Sequence, residues 1–531
     1  MTRSISMARI DRTAALVVVG LAAGIAGCGT SPFVGGGVDG GADGSVDSGL
    51  PGPMSLVATA ALAGVSADQK ILAYYSPGTA TLANGQITGT LSVTPNPPSA
   101  MVPPAKLDDG AFSASFSRTG STLLYLTGQV ASQDMGSTAI YGALHIWTPM
   151  LSSPVKLSVG LAGHLVTPSD GAWVLFWDVP APMQGGTGKV SFARAADCSA
   201  NACKAVELTP QPVQVVAMTA SQDGRYAAWQ VKSGMGIQAK LQTFLFSVAD
   251  AKLMQVAETT VAPGVTVAPM AFSPDGNLLA TTVTAMMFIP LQLQVINTAT
   301  FAADPAWKQP AMAATVEAHF ADATTLIAHE YTIKGFTPTD DGLHKVTAGG
   351  AARFSPGVDF FEIPQQPAGA NRFLFAANGG GKGTIGVQLY DLGAMMPAPI
   401  SLSSATSGFP AISDDLKSAE FLDTYDPNTR TGTLTVAGLP GGERTTIAAG
   451  VSIFSAAFAD GSSKVVYIDK PDATGAGTLT VWSAGTATVV AHNVIDFRSR
   501  KAPDTLYFAV TQPDMSVTPA RTPGIYSIAL H

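Results

Sequence analysis

The chain has little of what usually announces chemistry or a covalent staple. It holds three cysteines and seven histidines, and only 12% of its 531 residues are charged. Three cysteines cannot build a disulfide scaffold, so an ordinary hydrophobic core must hold the fold. The 29 Lys and Arg are spread thinly against 37 Asp and Glu, for a net charge of −8. That leaves no basic footprint for a phosphate backbone and argues against nucleic acid as a partner. No apolar run reaches the length of a membrane span. Beyond residue 55 there is no convincing helical periodicity. What is abundant is apolar and turn-forming: 46% hydrophobic residues, 55 Gly and 36 Pro. The first excludes wholesale disorder, and the second points to a loop-rich globular protein of one large or several ordinary domains.

Residues 1–28 read as an address rather than as fold. Arg3, Arg9 and Arg12 form a basic start, Ala14 to Ile25 is a short apolar run, and Ile25-Ala26-Gly27-Cys28 follows. A short apolar segment engages the secretion machinery, and small residues fit the peptidase cleft. This stretch resembles the lipobox of bacterial lipoproteins. The resemblance implies cleavage before Cys28, acylation of Cys28 (by palmitate or similar chains) and firm anchoring without a spanning helix. Position 29 is Gly. In that family an Asp there tends to retain the protein in the inner membrane, so an outer-membrane location is expected. Residues 29–53 are rich in Gly, Asp and Ser. Asp39, Asp43 and Asp47 recur every four residues, which is not the alternate spacing of a calcium loop, so the segment is expected to be a flexible tether.

Residues 54–531 carry a repeated pattern. The clearest copy is AFSPDGNLLAT from Ala271, which reads as strand, Asp-Gly turn, strand. Similar stretches begin at Ser115, Val166, Thr219 and Ala457, weaker ones at Gly64, His319 and Ala411, and two with longer turns at Glu362 and Asp496. Registered at the end of the first strand, the ten positions are Val65, Phe116, Thr167, Ala220, Phe272, Phe320, Ile363, Ile412, Phe458 and Phe497. Their spacing, near 48 residues, is that of four-stranded propeller blades. A third strand follows in each copy, as in the near-identical runs from Gly89, Gly432 and Gly477, and often a short fourth, as in Val155 to Leu157. These SPDG-type repeats resemble the WD-repeat-like β-propeller blades of TolB and its bacterial relatives. The resemblance implies an all-β propeller over roughly residues 55–531. Unlike TolB, the chain has a tether where that protein has an α/β domain. Ten copies exceed the usual four to eight blades, leaving one unusually large ring, two small rings or some degenerate copies. The tenth copy lacks a fourth strand of its own, and residues 55–60 are a strand without a hairpin partner. Pairing them beside residues 525–528 would remove an exposed sheet edge, close the ring and favour a single one.

Motifs of catalysis are not found. There is no Gly-x-Ser-x-Gly elbow and no His-Glu-x-x-His. Gly379 to Thr384 looks superficially like a phosphate loop but has Gly after Lys382 and leads into a strand. His319 and His329 fall on adjacent strands without two further ligands, and Met286-Met287 and Met395-Met396 read as packing residues. No metal or cofactor is expected. Cys198 and Cys203, between the third and fourth strands of the third copy, are expected to form a local disulfide in an oxidising compartment. Three functions remain open. The first is a membrane-anchored envelope lipoprotein whose propeller is a non-enzymatic platform for an envelope protein or glycan. The second is an enzyme with a lactonase-, lyase- or glycosidase-like site in the central funnel. The third is an accessory subunit of a Tol-like envelope complex.

Overall fold

The computed structural model describes residues 53–531 except 59, 77–78, 80, 84–85, 100, 135–136, 181–185, 200–201, 235–238, 261–269, 284–291, 308–312, 335–336, 365–371, 381–383, 395–396, 453–454, 460–461, 473–474, 501–503, 518–519 and 531. Before residue 53 only Val19 and Gly20 are described, paired antiparallel with Ala139 and Thr138. Cys28, the tether, Met286-Met287 and Met395-Met396 lie outside the described residues. Among the described residues no helix is long and apolar enough to cross a membrane.

The protein is a β-propeller of antiparallel four-stranded blades. The fourth copy shows the plan: Gln214–Ala220, Tyr226–Ser233, Lys240–Ser247 and Lys252–Thr260 pair in chain order. The fifth to eighth copies repeat it as separate four-stranded sheets. In the third copy the order is Leu161–Val166, Trp173–Val179, Lys189–Arg194 and Val206–Glu207. The second strands are the most apolar. Trp173–Val179 and Tyr226–Ser233 are buried along nearly their whole length, because each blade is covered on both faces by its neighbours.

Two long strands serve two copies each. Ala105–Phe116 ends the first copy and begins the second, and Thr486–Arg500 ends the ninth and begins the tenth. The backbone turns the corner at positive φ, +61° at Gly110 and +58° at Asn493. Only glycine and, less readily, asparagine enter that region cheaply. Sequence periodicity marks strand ends and so missed this continuity.

Closure uses the N-terminal strand. Met54–Ala58 pairs antiparallel with Gly524–Ala529, Met54 opposite Ser527 and Ala58 opposite Gly524. The tenth copy thus gains its fourth strand from the start of the chain. Apolar clusters run from copy to copy without a break. Leu62, Val65 and Tyr74 of the first copy meet Tyr507, Ala509 and Ile525 of the tenth. A large cluster from Ala73 to Ala193 joins the first three copies, and others join the third to the fourth and each later pair.

Candidate functional site

The repeated turn between the first two strands is a small hydrogen-bonded unit. In the fifth copy Ser273 Oγ donates to Asp275 Oδ1 at 2.6 Å, and Asn277 N donates to the same oxygen at 3.2 Å. Leu278 N donates to Ser273 Oγ at 3.0 Å, and the main chain closes with Ser273 N to Leu278 O at 2.9 Å. The copies at Ser66, Ser221 and Ser413 repeat the Ser-to-Asp bond at 2.6–2.7 Å and the return bond to the serine at 3.0 Å. The serine is buried in all four, so its hydroxyl satisfies main-chain groups that water cannot reach. These bonds act on the carboxylates. Asp68 is held below the ordinary carboxylate range first by the Ser66 hydroxyl. For Asp223 and Asp275 burial pushes upward, but the serine and backbone donors together prevail and lower the pKa. The residue after the Asp sits at positive φ, +70° at Gly276, where an added Cβ would also meet Asp223 Oδ2 at 2.7 Å.

The turns also join neighbouring copies at one end of the propeller. Arg500 of the tenth copy donates through Nε and Nη2 to Val65 O of the first, at 3.1 and 2.7 Å. Ala67 N reaches Gly120 O at 3.2 Å and Thr119 N reaches Ser169 O at 2.8 Å. Trp173 Nε1 donates to Gly224 O at 2.8 Å, and Arg225 Nη2 donates to Asp275 O at 2.7 Å.

At this same end, where the first strands of the fourth to seventh copies stop, a cleft of about 240 Å³ opens. Its walls are the registration positions themselves, Ala220, Phe272, Phe320 and Ile363, with Met270 adding apolar surface. Thr219, Gln222, Ser273, His319 and Glu362 supply hydrogen-bonding groups. His319 is fixed in place: its Nε2 lies 3.1 Å from Glu317 Oε1, and its ring meets Phe361 edge-on with centroids 5.3 Å apart. The cleft pairs half-buried apolar walls with neutral donors and acceptors, one imidazole and one carboxylate. Such a surface can hold a polar chain by stacking and hydrogen bonds. Reading the sequence copy by copy did not single out Gln222, Met270 or Glu362. The signal that could have done so was shared register in four consecutive copies.

The remaining expected residues fall elsewhere. Cys198 and Cys203 stand opposite each other on a two-stranded hairpin and are joined by a disulfide, Cα atoms 4.0 Å apart. Gly380 pairs with Thr384 at the end of a hairpin, as expected of a turn rather than a phosphate loop. His329 is buried and stands opposite Glu317, not opposite His319. Among the described residues no group of three or more His, Cys, Asp or Glu could hold a metal ion.

One polar cluster escaped the sequence reading because its members come from three strands. Asp108 accepts a hydrogen bond from Tyr125 Oη and lies 3.2 Å from His145 Nδ1. His145 Nε2 is 3.0 Å from Thr127 Oγ1, and the Tyr125 and His145 rings stack at 5.1 Å. Burial raises the Tyr125 pKa, and the hydrogen bond to Asp108 and the charge of that carboxylate raise it further. Burial lowers the His145 pKa, and although Asp108 works against this, the imidazole favours its neutral form. The cluster joins the first copy to the second.

No protein-family model matches the sequence, and no curated protein is similar to it. Solved structures share the architecture at low identity. The β-propeller domain of the trilobed protease from Pyrococcus furiosus is 13% identical, with a TM-score of 0.33, over 62% of this chain and 97% of that one. Dipeptidyl peptidase 4 from Porphyromonas gingivalis is 11% identical, with a TM-score of 0.42, over 87% of this chain and 64% of that one. TolB from Acinetobacter baumannii is 12% identical, with a TM-score of 0.28, over 62% of this chain and 81% of that one. These likenesses concern fold alone.

Proposed function

We propose that the protein is a bacterial envelope lipoprotein, anchored through acylated Cys28 in the outer membrane, whose propeller is a binding platform. The propeller is read as one ring of ten blades closed by Met54–Ala58. The pairing of the two chain ends and the unbroken run of apolar clusters support that reading. The cleft at the ends of the first strands of the fourth to seventh copies is the binding site, and the observation that carries this is its lining. Phe272, Phe320, Met270 and Ile363 give apolar walls, while Thr219, Gln222, Ser273, His319 and Glu362 give polar groups. That mixture suits an envelope glycan or a polar segment of an envelope protein better than a strongly charged ligand. The test is capture from detergent-solubilised envelope with the intact lipoprotein and with Gln222→Arg. Gln222 is exposed, so the substitution fills the cleft without touching the core. A ligand held by the native protein and lost by the variant supports the proposal. A ligand held equally by both places the site elsewhere.

A further inference from the structure

The alternation of strands fixes which end of the propeller each loop occupies. The Ser-x-Asp turns join first to second strands. Links between third and fourth strands lie at the same end, because each strand reverses the direction of the last. Met101 and Val102 lie in the link from Gln86–Pro95 to Ala105–Phe116, and Met150 in the link from Ser137–Trp147 to Val155–Lys156. Met54, opposite Ser527 near the end of the tenth copy's third strand, opens that copy's fourth strand at this end too. Three consecutive copies therefore present apolar tips together. Met101 and Met150 are each 92% exposed, Met54 is 50% and Val102 is 49%. The first copy's link is held against the tenth copy, since Asn96 Nδ2 donates to Tyr507 Oη at 2.9 Å.

Four large exposed apolar side chains on one end of three consecutive copies offer a candidate docking edge. The position of the chain end names its occupant. Residues 29–53 run from Cys28 to Met54, so the tether reaches the propeller beside these tips. A flexible segment of that length has a root-mean-square span of roughly 28 Å. It confines the propeller close to the bilayer, where even a weak apolar contact is made often. We infer that the edge of this end formed by the tenth, first and second copies, bearing Met54, Met101, Val102 and Met150, docks onto the lipid surface that holds the anchor, so that the molecule rests on the membrane tilted, with the cleft of the fourth to seventh copies on the far side of the ring and clear of the lipid. This rests on the reading of Cys28 as a lipid anchor.

The opposite end supplies controls. Val159, 90% exposed, lies in the link into the third copy's first strand, and Met515, 77% exposed, in the link between second and third strands of the tenth. The full-length lipoprotein is reconstituted into phosphatidylethanolamine and phosphatidylglycerol vesicles carrying spin-labelled acyl chains. A fluorophore is placed in turn at Met101→Cys, Met150→Cys, Val159→Cys and Met515→Cys. Quenching at positions 101 and 150 that exceeds quenching at 159 and 515 is the expected result. Adding Met101→Glu and Met150→Glu to a protein labelled at Val102→Cys should return its quenching to the level of position 159. Equal quenching at all four sites, or stronger quenching at 159 and 515, overturns the inference. Energy transfer between labels at 101 in detergent, without vesicles, also overturns it, by making this end a contact between two copies. The mass of the N-terminal peptide is read from the same vesicles. An unacylated Cys28 overturns both the anchor and the docking, whereas an acylated Cys28 without quenching overturns the docking alone.

Discussion

The closure side of the propeller and the cleft side are held together differently. From the first copy to the third, one extended cluster including Phe112, Tyr125, Trp147 and Phe176 joins three copies, and a separate cluster joins the first to the tenth. Arg500, Ala67 and Thr119 add hydrogen bonds between successive turns. From the fourth copy to the seventh, smaller clusters join copies two at a time, and the first strands of the fifth and seventh shrink to Ala271–Phe272 and Phe360–Glu362. The cleft opens at the ends of the first strands of the fourth to seventh copies. A repeat protein needs every neighbour contact to stay closed, yet it can thin one arc to make room for a ligand if another arc is strong.

The comparison can be broken most forcefully at the closure. Deleting residues 54–58 removes the backbone pairings to Gly524–Ala529 and the apolar contacts of Leu56 and Val57. A loss of about 3–5 kcal/mol is expected, with a new tendency to aggregate through the bared edge. Denaturant unfolding and light scattering check this. Unchanged stability would mean that the N-terminal strand does not hold the ring.

A smaller effect is expected within the closure arc. Asp108→Ala strands the buried Tyr125 hydroxyl and removes the partner of His145 Nδ1, which should cost about 2 kcal/mol in denaturant unfolding. On the cleft side, Gly276→Ala forces a side chain into positive φ and against Asp223, for about 1–2 kcal/mol. That substitution should also weaken ligand capture, because Ser273 and Pro274 of the same turn line the cleft. If Gly276→Ala unfolds the protein as severely as the deletion, the cleft arc is not the looser one.

Titration gives the smallest and most selective effect. His145 has its pKa depressed in the fold, so the unfolded chain binds its proton first as pH falls below about 6.5. Stability should therefore decline gently below that pH, and His145→Gln should abolish this first decline. Asp68, Asp223 and Asp275 are depressed carboxylates, whose contribution is present above the ordinary carboxylate range and lost as pH falls through their lowered values. A second, steeper decline in acid should survive in His145→Gln. Thermal unfolding followed across pH separates the two.

Much of the fold was legible because the turn has a local chemical signature. Ser and Asp lie two positions apart in the turns at Ser66, Ser221, Ser273 and Ser413, and at Gly224 and Gly276 a glycine follows, while Gln69 and Leu416 take the same positive φ without that signal. The tenth copy's missing strand and the unpartnered run near residue 55 pointed to closure by counting. The cleft was not legible, because Thr219 and Ile363 belong to copies far apart in sequence and meet only once the ring forms. The same holds for Asp108, Tyr125 and His145, which sit on three strands. The register was also imperfect at its edges: the strands end at Val166 and Glu362, one residue before Thr167 and Ile363, and the tenth copy's first strand runs on to Arg500, beyond Phe497.

Amide hydrogen exchange on the intact lipoprotein tests the closed ring most directly. The account expects the amides of Met54–Ala58 that face Gly524–Ala529 to exchange well below free-chain rates, while Thr505–Val510 and Ile71–Tyr75, paired on both sides, exchange slowest. Free-chain exchange across Met54–Ala58, with the remaining strands protected, would contradict it.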